Sequence, residues 1–359
     1  MDTFFNKNLL LQPIIFIDIG SRGGVQKKWL IFNDKLNVIG FEPDKEEYDR
    51  MQNEGLPMKN YNIGLWKEKG IIDFYLTRTG RCSSNLEPNR EVLDEFPESD
   101  RFDIIKNTKI PVDTLDNILN SSNKVEGGGI PDFVKLDTQG TELYILQGMT
   151  DILNRSIFGI EIEVEFLPMY RTQPLFYEVD EFLHSQGFQL FDIKKFYWRR
   201  KCGLGFDGTM RGQIAHGDAL YFRKPDVYIN ILQNSDCNIK ERLLKSVAIA
   251  LFFGYSSYAI CLLDKGKSEN VINAEDQFII TDLILEDSKK RSNDSNEMES
   301  LPDFIGKSLL IRIIKKLNRL FDIHEEKYLQ EYKRILALNK SYHGWAQIDK
   351  EDVGNNISH

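Results

Sequence analysis

No window of the sequence reaches the roughly 18 uninterrupted apolar residues that a membrane-crossing helix requires, so a spanning protein is not expected. The apolar run from Leu9 to Ile19 is interrupted by Gln12, Pro13 and Asp18, and it lacks both a basic leader and a small-residue cleavage site. It does not read as a signal peptide. Cysteine is sparse. Cys82, Cys202, Cys237 and Cys261 stand far apart, with no two at metal-clip or redox-motif spacing, which predicts free thiols in a reducing compartment. Positive charge is also in deficit: 46 Lys and Arg against 55 Asp and Glu leave a formal net charge of -9. A nucleic-acid binder normally carries a basic balance, so no nucleic-acid partner is expected. No tandem repeat is found. What remains is a folded composition, 41% hydrophobic and 28% charged. Its 359 residues correspond to about two domains at roughly 150 residues each.

Up to about Lys224, short apolar runs alternate with helical periodicity, the pattern of a mostly parallel sheet covered by helices. Strands are expected at Ile14–Asp18, Asn37–Phe41, Met58–Asn62, Ile71–Leu76, Asp132–Asp137, Ile157–Phe166, Phe188–Ile193 and Ala219–Phe222. Helices are expected near Val25–Asn33, Asp44–Asn53, Leu115–Asn120, Thr141–Gln147 and Leu175–Gln186, the last closed by Gly187 as a C-cap residue. After Pro225 glycine becomes scarce and helical patterns take over, at Ile239–Phe253, Ser256–Asp264, Glu275–Leu285, Phe304–Phe321 and Glu325–Leu338. The sequence therefore divides into a domain over 1–225 and a helical accessory region over 226–359, with a polar linker near 288–303.

Chemistry concentrates at three strand ends. Phe16-Ile17-Asp18-Ile19-Gly20-Ser21-Arg22-Gly23-Gly24 runs from an apolar strand into a glycine-rich turn that a ligand can approach closely. Its spacing is not G-x-G-x-x-G, and an acid ends the strand. About twenty residues on, Val38-Ile39-Gly40-Phe41-Glu42-Pro43 ends the second strand in a carboxylate able to hold a ribose diol. Together the two point to an adenosyl ligand. Phe133 to Glu142 repeats the pattern, a strand ending in Asp137 followed by a glycine turn and a helix. All three tips face the carboxyl edge of the sheet, where open α/β folds bind ligands.

In these residues the sequence resembles the FkbM family of S-adenosylmethionine-dependent methyltransferases. The resemblance lies in the turn Asp18 to Gly24, in Phe41-Glu42-Pro43, in Val112-Asp113-Thr114-Leu115-Asp116, in Lys135 to Glu142 and in Glu163-Val164-Glu165-Phe166. It continues through Gly187-Phe188 to Gly217-Asp218-Ala219-Leu220-Tyr221-Phe222, so that about residues 13 to 223 are covered. Family members often carry Ala-Asn where this chain has Ser21-Arg22. The resemblance implies the class I methyltransferase fold, a Rossmann-like seven-stranded sheet with helices on both faces and its last strand inserted antiparallel. It also implies S-adenosylmethionine as cofactor. Asp18, Gly20, Ser21, Arg22 and Gly24 would frame the methionine part, Glu42 the ribose hydroxyls, and Asn62 with Ile63 the adenine; Asp137 would lie close to the methyl group.

Family members are described as O-methyltransferases acting on sugar hydroxyls or natural products. An alcohol acceptor needs a general base, for which His216, Asp137 and Glu163 are the candidates. Asp137 and Glu163 could alternatively hold Mg2+. The expected function is O-methylation of a sugar in a bacterial surface glycan, glycolipid or secondary metabolite, in the cytoplasm. The loop Phe196-Tyr197-Trp198-Arg199-Arg200-Lys201, with Arg211 beyond it, fits a phosphorylated or acidic acceptor, or a solvated loop anchored by Trp198. Arg81-Cys82-Ser83-Ser84 lies in a connection that could lid the pocket. Residues 304–321 carry five basic residues and no acid, with an apolar face opposite a basic one. That pattern suits peripheral contact with the inner membrane, or packing on a neighbour in a homo-oligomer. Two other readings are a nicotinamide-dependent oxidoreductase and a non-catalytic binding module in a glycan-assembly complex.

Overall fold

A computed structural model describes residues 12–56, 58–120, 130–203, 212–235 and 237–293. In chain order the first elements are β1 (Ile14–Ile19), β2 (Leu36–Phe41), α1 (Lys45–Asn53), β3 (Lys59–Tyr61), β4 (Gly64–Leu65), β5 (Gly70–Thr77) and α2 (Arg90–Leu93). Next come β6 (Ile104–Asp113), α3 (Leu115–Asn120), β7 (Phe133–Leu136), α4 (Glu142–Gln147), α5 (Thr150–Arg155), β8 (Gly159–Glu165) and α6 (Phe176–Ser185). The last are β9 (Phe188–Trp198), β10 (Gln213–Arg223), α7 (Pro225–Gln233), α8 (Ile239–Phe252), α9 (Ser256–Ser268) and α10 (Ala274–Asn293).

Seven strands form one sheet in the order β3-β2-β1-β7-β8-β10-β9. The pairs from β3 to β8 are parallel, whereas β10 runs antiparallel to both β8 and β9. The inserted antiparallel strand is the expected class I topology. Alternation along the strands gives each face its character. Ile15, Ile17, Ile19, Val134, Leu136, Ile160, Ile162 and Val164 share one face and pack with Ile145, Leu146, Ile152, Leu153, Val179 and Leu183 of α4, α5 and α6. At about 1.5–3 kcal/mol per fully buried side chain, this continuous layer is the main source of stability.

The opposite face changes along its length. At its amino end it is aromatic: Trp29 stacks on Phe16 at 4.4 Å and meets Phe133 at 5.0 Å. Gly159 is needed between these rings, because a Cβ there would lie 2.7 Å from Phe133 and 2.8 Å from Phe222. One or two pleats further on, the same face carries Asp18, Lys135, Glu161, Glu163, Asp218 and His216. An apolar layer thus supports a polar one at the carboxyl edge.

Several elements differ from the sequence expectation. The helix expected over Val25–Asn33 is a 3-10 helix at Lys27–Lys35. The strand expected over Ile71–Leu76 is β5, which lies outside the main sheet and pairs with β6 in a separate three-stranded sheet, β4-β6-β5. The strands β4 and β6 and the helix α5 were not anticipated. Gly187 does close α6, at φ 83°.

Compactness divides the chain at 237/238 rather than at 225. The first helix after Pro225, α7, belongs with the sheet: Tyr228 is fully buried and lies 5.2 Å from Phe158. In the other unit, α8, α9 and α10 pack on one another. The backbone of α9 approaches α8 closely at Gly266, where a Cβ would lie 2.2 Å from Leu243 Cδ2. The helix α10 continues to Asn293, so the first part of the expected polar linker is helical. The rest of that linker and the helices expected at Phe304–Phe321 and Glu325–Leu338 lie outside the described residues, as does Arg211. Among the described residues, no helix is long and apolar enough to cross a membrane, and all four cysteines are free.

Candidate active site

The glycine turn after β1 is required by close approach. Gly20 has φ 77°, and a Cβ on it would fall 2.0 Å from the Asp137 carbonyl oxygen, so only glycine lets this turn meet the tip of β7. Its N–H and that of Ser21 both donate to the Phe41 carbonyl, at 3.1 Å each, which ties the turn to the end of β2. The three strand ends therefore converge on one cavity of about 420 Å3. That size suits a ligand of nucleoside-conjugate dimensions.

Asp18, Gly20, Arg22, Gly24, Glu42, Ile63, Asp137, Glu163 and His216 all line this cavity. Ser21 and Asn62 do not. Ser21 is buried and its hydroxyl donates to Asn60 Oδ1 at 3.0 Å, while Asn62 Nδ2 donates to the carbonyls of Glu42 and Pro43, at 2.9 and 3.1 Å. Asn62 thereby holds the backbone of Glu42 and Pro43, which do line it. Arg22 is committed as well, paired with Asp44 at 2.5 Å and with Glu47 at 3.5 Å.

Strand register explains the electrostatics. Asp18 lies beside Lys135 in the β1–β7 pair, and Lys135 beside Glu161 in the β7–β8 pair. Lys135 is buried, with its Nζ 3.6 Å from Asp18 Oδ1 and 3.3 Å from Asp137 Oδ2. Burial alone would discharge it, but Asp137, Asp18 and Glu161 together raise its affinity for a proton. Burial pushes Asp18 up to about 6 even with Lys135 opposing. Burial likewise pushes Asp137 up, but Lys135 and the donor from Gln139 more than offset it, so Asp137 sits below its usual value. Glu42, with one oxygen accepting the Asp44 N–H at 2.9 Å, is pushed by burial to about 7.

The antiparallel register of β10 against β8 sets Asp218 beside Glu163 and His216 beside Glu165. His216 Nδ1 lies 3.1 Å from Glu163 Oε1, and its ring stacks on Phe196 at 4.6 Å. The imidazole and this carboxylate thus face each other on the cavity wall. Burial, then Asp137 and Glu165, raise Glu163 well above its ordinary value.

The donors around Asp137 and Glu163 do not fit a bound divalent cation. Asp137 faces the Lys135 ammonium and Gln139 Nε2, and Glu163 faces Gln139 Nε2 and His216. Glu142, Glu163 and Glu165 do bring one ligand atom each within 4.8 Å of one another. Burial raises all three above their usual range, and Glu142 Oε1 already accepts from the N–H and hydroxyl of Thr138.

The basic loop is turned to structural use. Arg200 pairs with Glu95 and donates to Gln213 Oε1 at 2.7 Å, Lys201 N–H donates to the Glu95 carbonyl at 2.8 Å, and Trp198 packs on Phe96 at 5.4 Å. Neither Arg199 nor Arg200 lines the cavity; Arg81 does, with Gly80, Ser83 and Asn85. The sequence reading missed Lys135, Gln139 and Asp218. A lysine within the apolar run Phe133–Leu136 was the available signal, because a charge buried there needs acids beside it.

A ligand cavity at the carboxyl edge of a parallel sheet with one inserted antiparallel strand defines a domain of the class I S-adenosylmethionine-dependent methyltransferases. Residues 18–190 match the sequence model of the methyltransferase FkbM domain, and this domain belongs to that family. The match sets the nicotinamide reading aside. No curated protein matches the chain in sequence. Among solved structures, it is similar to a methyltransferase FkbM from Methylobacillus flagellatus KT, at 13% identity and TM-score 0.33, covering 59% of this chain and 43% of that one. The chain thus spans less than half the length of that relative. It is also similar to magnesium protoporphyrin IX methyltransferase from Synechocystis PCC 6803 with bound S-adenosylmethionine, at 10% identity, TM-score 0.31 and coverage of 60% and 72%. A third is precorrin-6y C5,15-methyltransferase from Geobacter metallireducens GS-15, at 11% identity, TM-score 0.30 and coverage of 59% and 82%.

Proposed function

We propose that the chain is an S-adenosylmethionine-dependent O-methyltransferase acting in the cytoplasm on a sugar hydroxyl of a bacterial surface glycan, glycolipid or secondary metabolite. The observation that carries this reading is the His216–Glu163 pair on the wall of the cavity that also receives Asp18 and Glu42. The cofactor supplies an electrophilic methyl group on a sulfonium. The residues fit it: Asp18 Oδ1 is buried without a hydrogen-bond partner, 3.6 Å from Lys135 Nζ, and Glu42 lines the same cavity. Glu42 would accept from the ribose hydroxyls, and the turn at Gly20 would admit the methionine part. Asp18 and Asp137 would place negative charge near the sulfonium, with Lys135 opposing the protonation of both. His216 takes the proton of the attacking hydroxyl, and Glu163 stabilises the imidazolium that forms. An acceptor hydroxyl held in line with the methyl group then needs no metal. EDTA is expected to leave turnover unchanged; loss with EDTA and recovery with Mg2+ would overturn the metal-free mechanism.

The acceptor is proposed to carry phosphate or an acidic sugar. Arg81 lines the cavity wall, where a guanidinium can meet it. Arg81→Glu is expected to raise the acceptor KM about tenfold with kcat held, whereas an unchanged KM removes the acidic acceptor. The function is tested by mass spectrometry of cell glycans with and without the gene, which should differ by one methylene group. Tight binding of S-adenosylmethionine with no methylated product would favour the non-catalytic module.

A further inference from the structure

Gln139 stands where the turn after β7 meets the acid–base pair. Its backbone has φ 60°, a left-handed conformation that residues other than glycine rarely adopt. The Ser84 hydroxyl donates to its carbonyl at 2.7 Å. The side-chain amide is held at both ends. Nε2 donates to Glu163 Oε2 at 2.6 Å and to Asp137 Oδ1 at 3.3 Å. Oε1 accepts from the hydroxyl of Tyr170 at 3.2 Å, and the same hydroxyl donates to the Cys82 carbonyl at 2.9 Å. Tyr170 is fully buried, so this anchor is shielded from water. The two ends of an amide are chemically distinct: the carboxylates of Glu163 and Asp137 take the donor end, which turns Oε1 toward Tyr170.

We propose that Gln139 is a positioning residue for methyl transfer, clamping one oxygen of Glu163 so that the other meets His216. The inference rests on the reading of His216 as the base. Through Tyr170 and Ser84 the clamp is also joined to the segment 80–85, which lines the same cavity. Few other side chains suit this place. A third carboxylate would repel Asp137 and Glu163, and an apolar side chain would leave both without their shared donor. A neutral group with two donors serves both carboxylates and adds no charge.

The test is nitrogen NMR of the imidazoles in the full chain bound to S-adenosylhomocysteine. The sequence holds five histidines, so the His216 signal is assigned by its loss in His216→Gln. Gln139→Leu removes the donor. Gln139→Asn keeps an amide one methylene too short and sits more easily in a left-handed turn, so it guards against failure to fold. Both remove a bond that favours ionised Glu163, and an un-ionised Glu163 no longer supports the imidazolium. The His216 midpoint is expected to fall by about one pH unit in both variants. Asp137, Glu142, Glu165 and Asp218, the acids around Glu163, stay in place throughout. Cofactor affinity should hold, while transfer from radiolabelled S-adenosylmethionine to a cell-envelope glycan extract should drop about tenfold in kcat. Folded variants with the wild-type midpoint and tautomer would overturn the clamp. Full transfer by His216→Gln would instead overturn the base assignment, a failure read separately from the imidazole signals.

Discussion

His216→Ala is expected to lower kcat by about 10²–10⁴-fold while leaving the Kd for S-adenosylmethionine unchanged. On the proposed reading the imidazole, which lines the cavity beside Glu163, accepts the acceptor's proton and lies apart from the strand ends proposed to frame the cofactor. Loss of the base removes an interaction made only in the transition state, so kcat and kcat/KM should fall together. His216→Gln is a useful companion, because it keeps a planar group against Phe196 and separates packing from proton transfer. Calorimetry with the cofactor and transfer assays on a glycan extract read the two effects. Undiminished turnover in both variants would exclude His216 as base.

Glu42→Gln is expected to weaken S-adenosylmethionine binding about 30- to 100-fold and, at the same time, to stabilise the fold above neutral pH. The binding loss follows from replacing a charged acceptor of two ribose hydroxyls by a neutral one, about 2–3 kcal/mol. The stability gain follows from burial. Glu42 is pushed from 4.5 to about 7 in the folded protein, so between these values the folded state holds a proton that the unfolded state releases. Wild-type stability therefore falls as pH rises from about 4.5 to 7, by up to roughly 3 kcal/mol from this group. The glutamine variant lacks that fall. Denaturant unfolding of both proteins at pH 4 and pH 8 should show near-equal stability at the lower pH and a more stable variant at the higher one. Equal curves at pH 8 would mean that the carboxylate is not under strain.

Legibility from sequence followed the range of the interaction. The strand β1, the glycine turn and Glu42 were readable because apolar run length, turn chemistry and a terminal acid are properties of a few adjacent residues. The strand β6 was not, since much of Ile104–Asp113 is exposed and its side chains show no clean alternation. The two-residue strand β4 is too short to carry any period. Ser21 and Asn62 sit within cavity-forming motifs, yet their polar atoms turn toward Asn60 and toward the Glu42 and Pro43 carbonyls. Only packing shows which side of a turn a side chain faces. Arg200 shows the same limit: a cation in an aromatic loop looks available until its partner Glu95 is brought in from far along the chain.

By itself the sequence determined the class of the domain, the order of its strand-end motifs, and the identities of Asp18, Glu42, Asp137, Glu163 and His216 as candidates. Each depends on local periodicity or on a residue type at a turn. The tertiary structure decided how those candidates are arranged. Parallel register put Lys135 between Asp18 and Asp137, and the antiparallel entry of β10 brought His216 to Glu163 and Asp218 beside the same carboxylate. The physical reason is that strand register is fixed by pairing between distant segments, and a one-residue slip would turn every one of these groups to the apolar face.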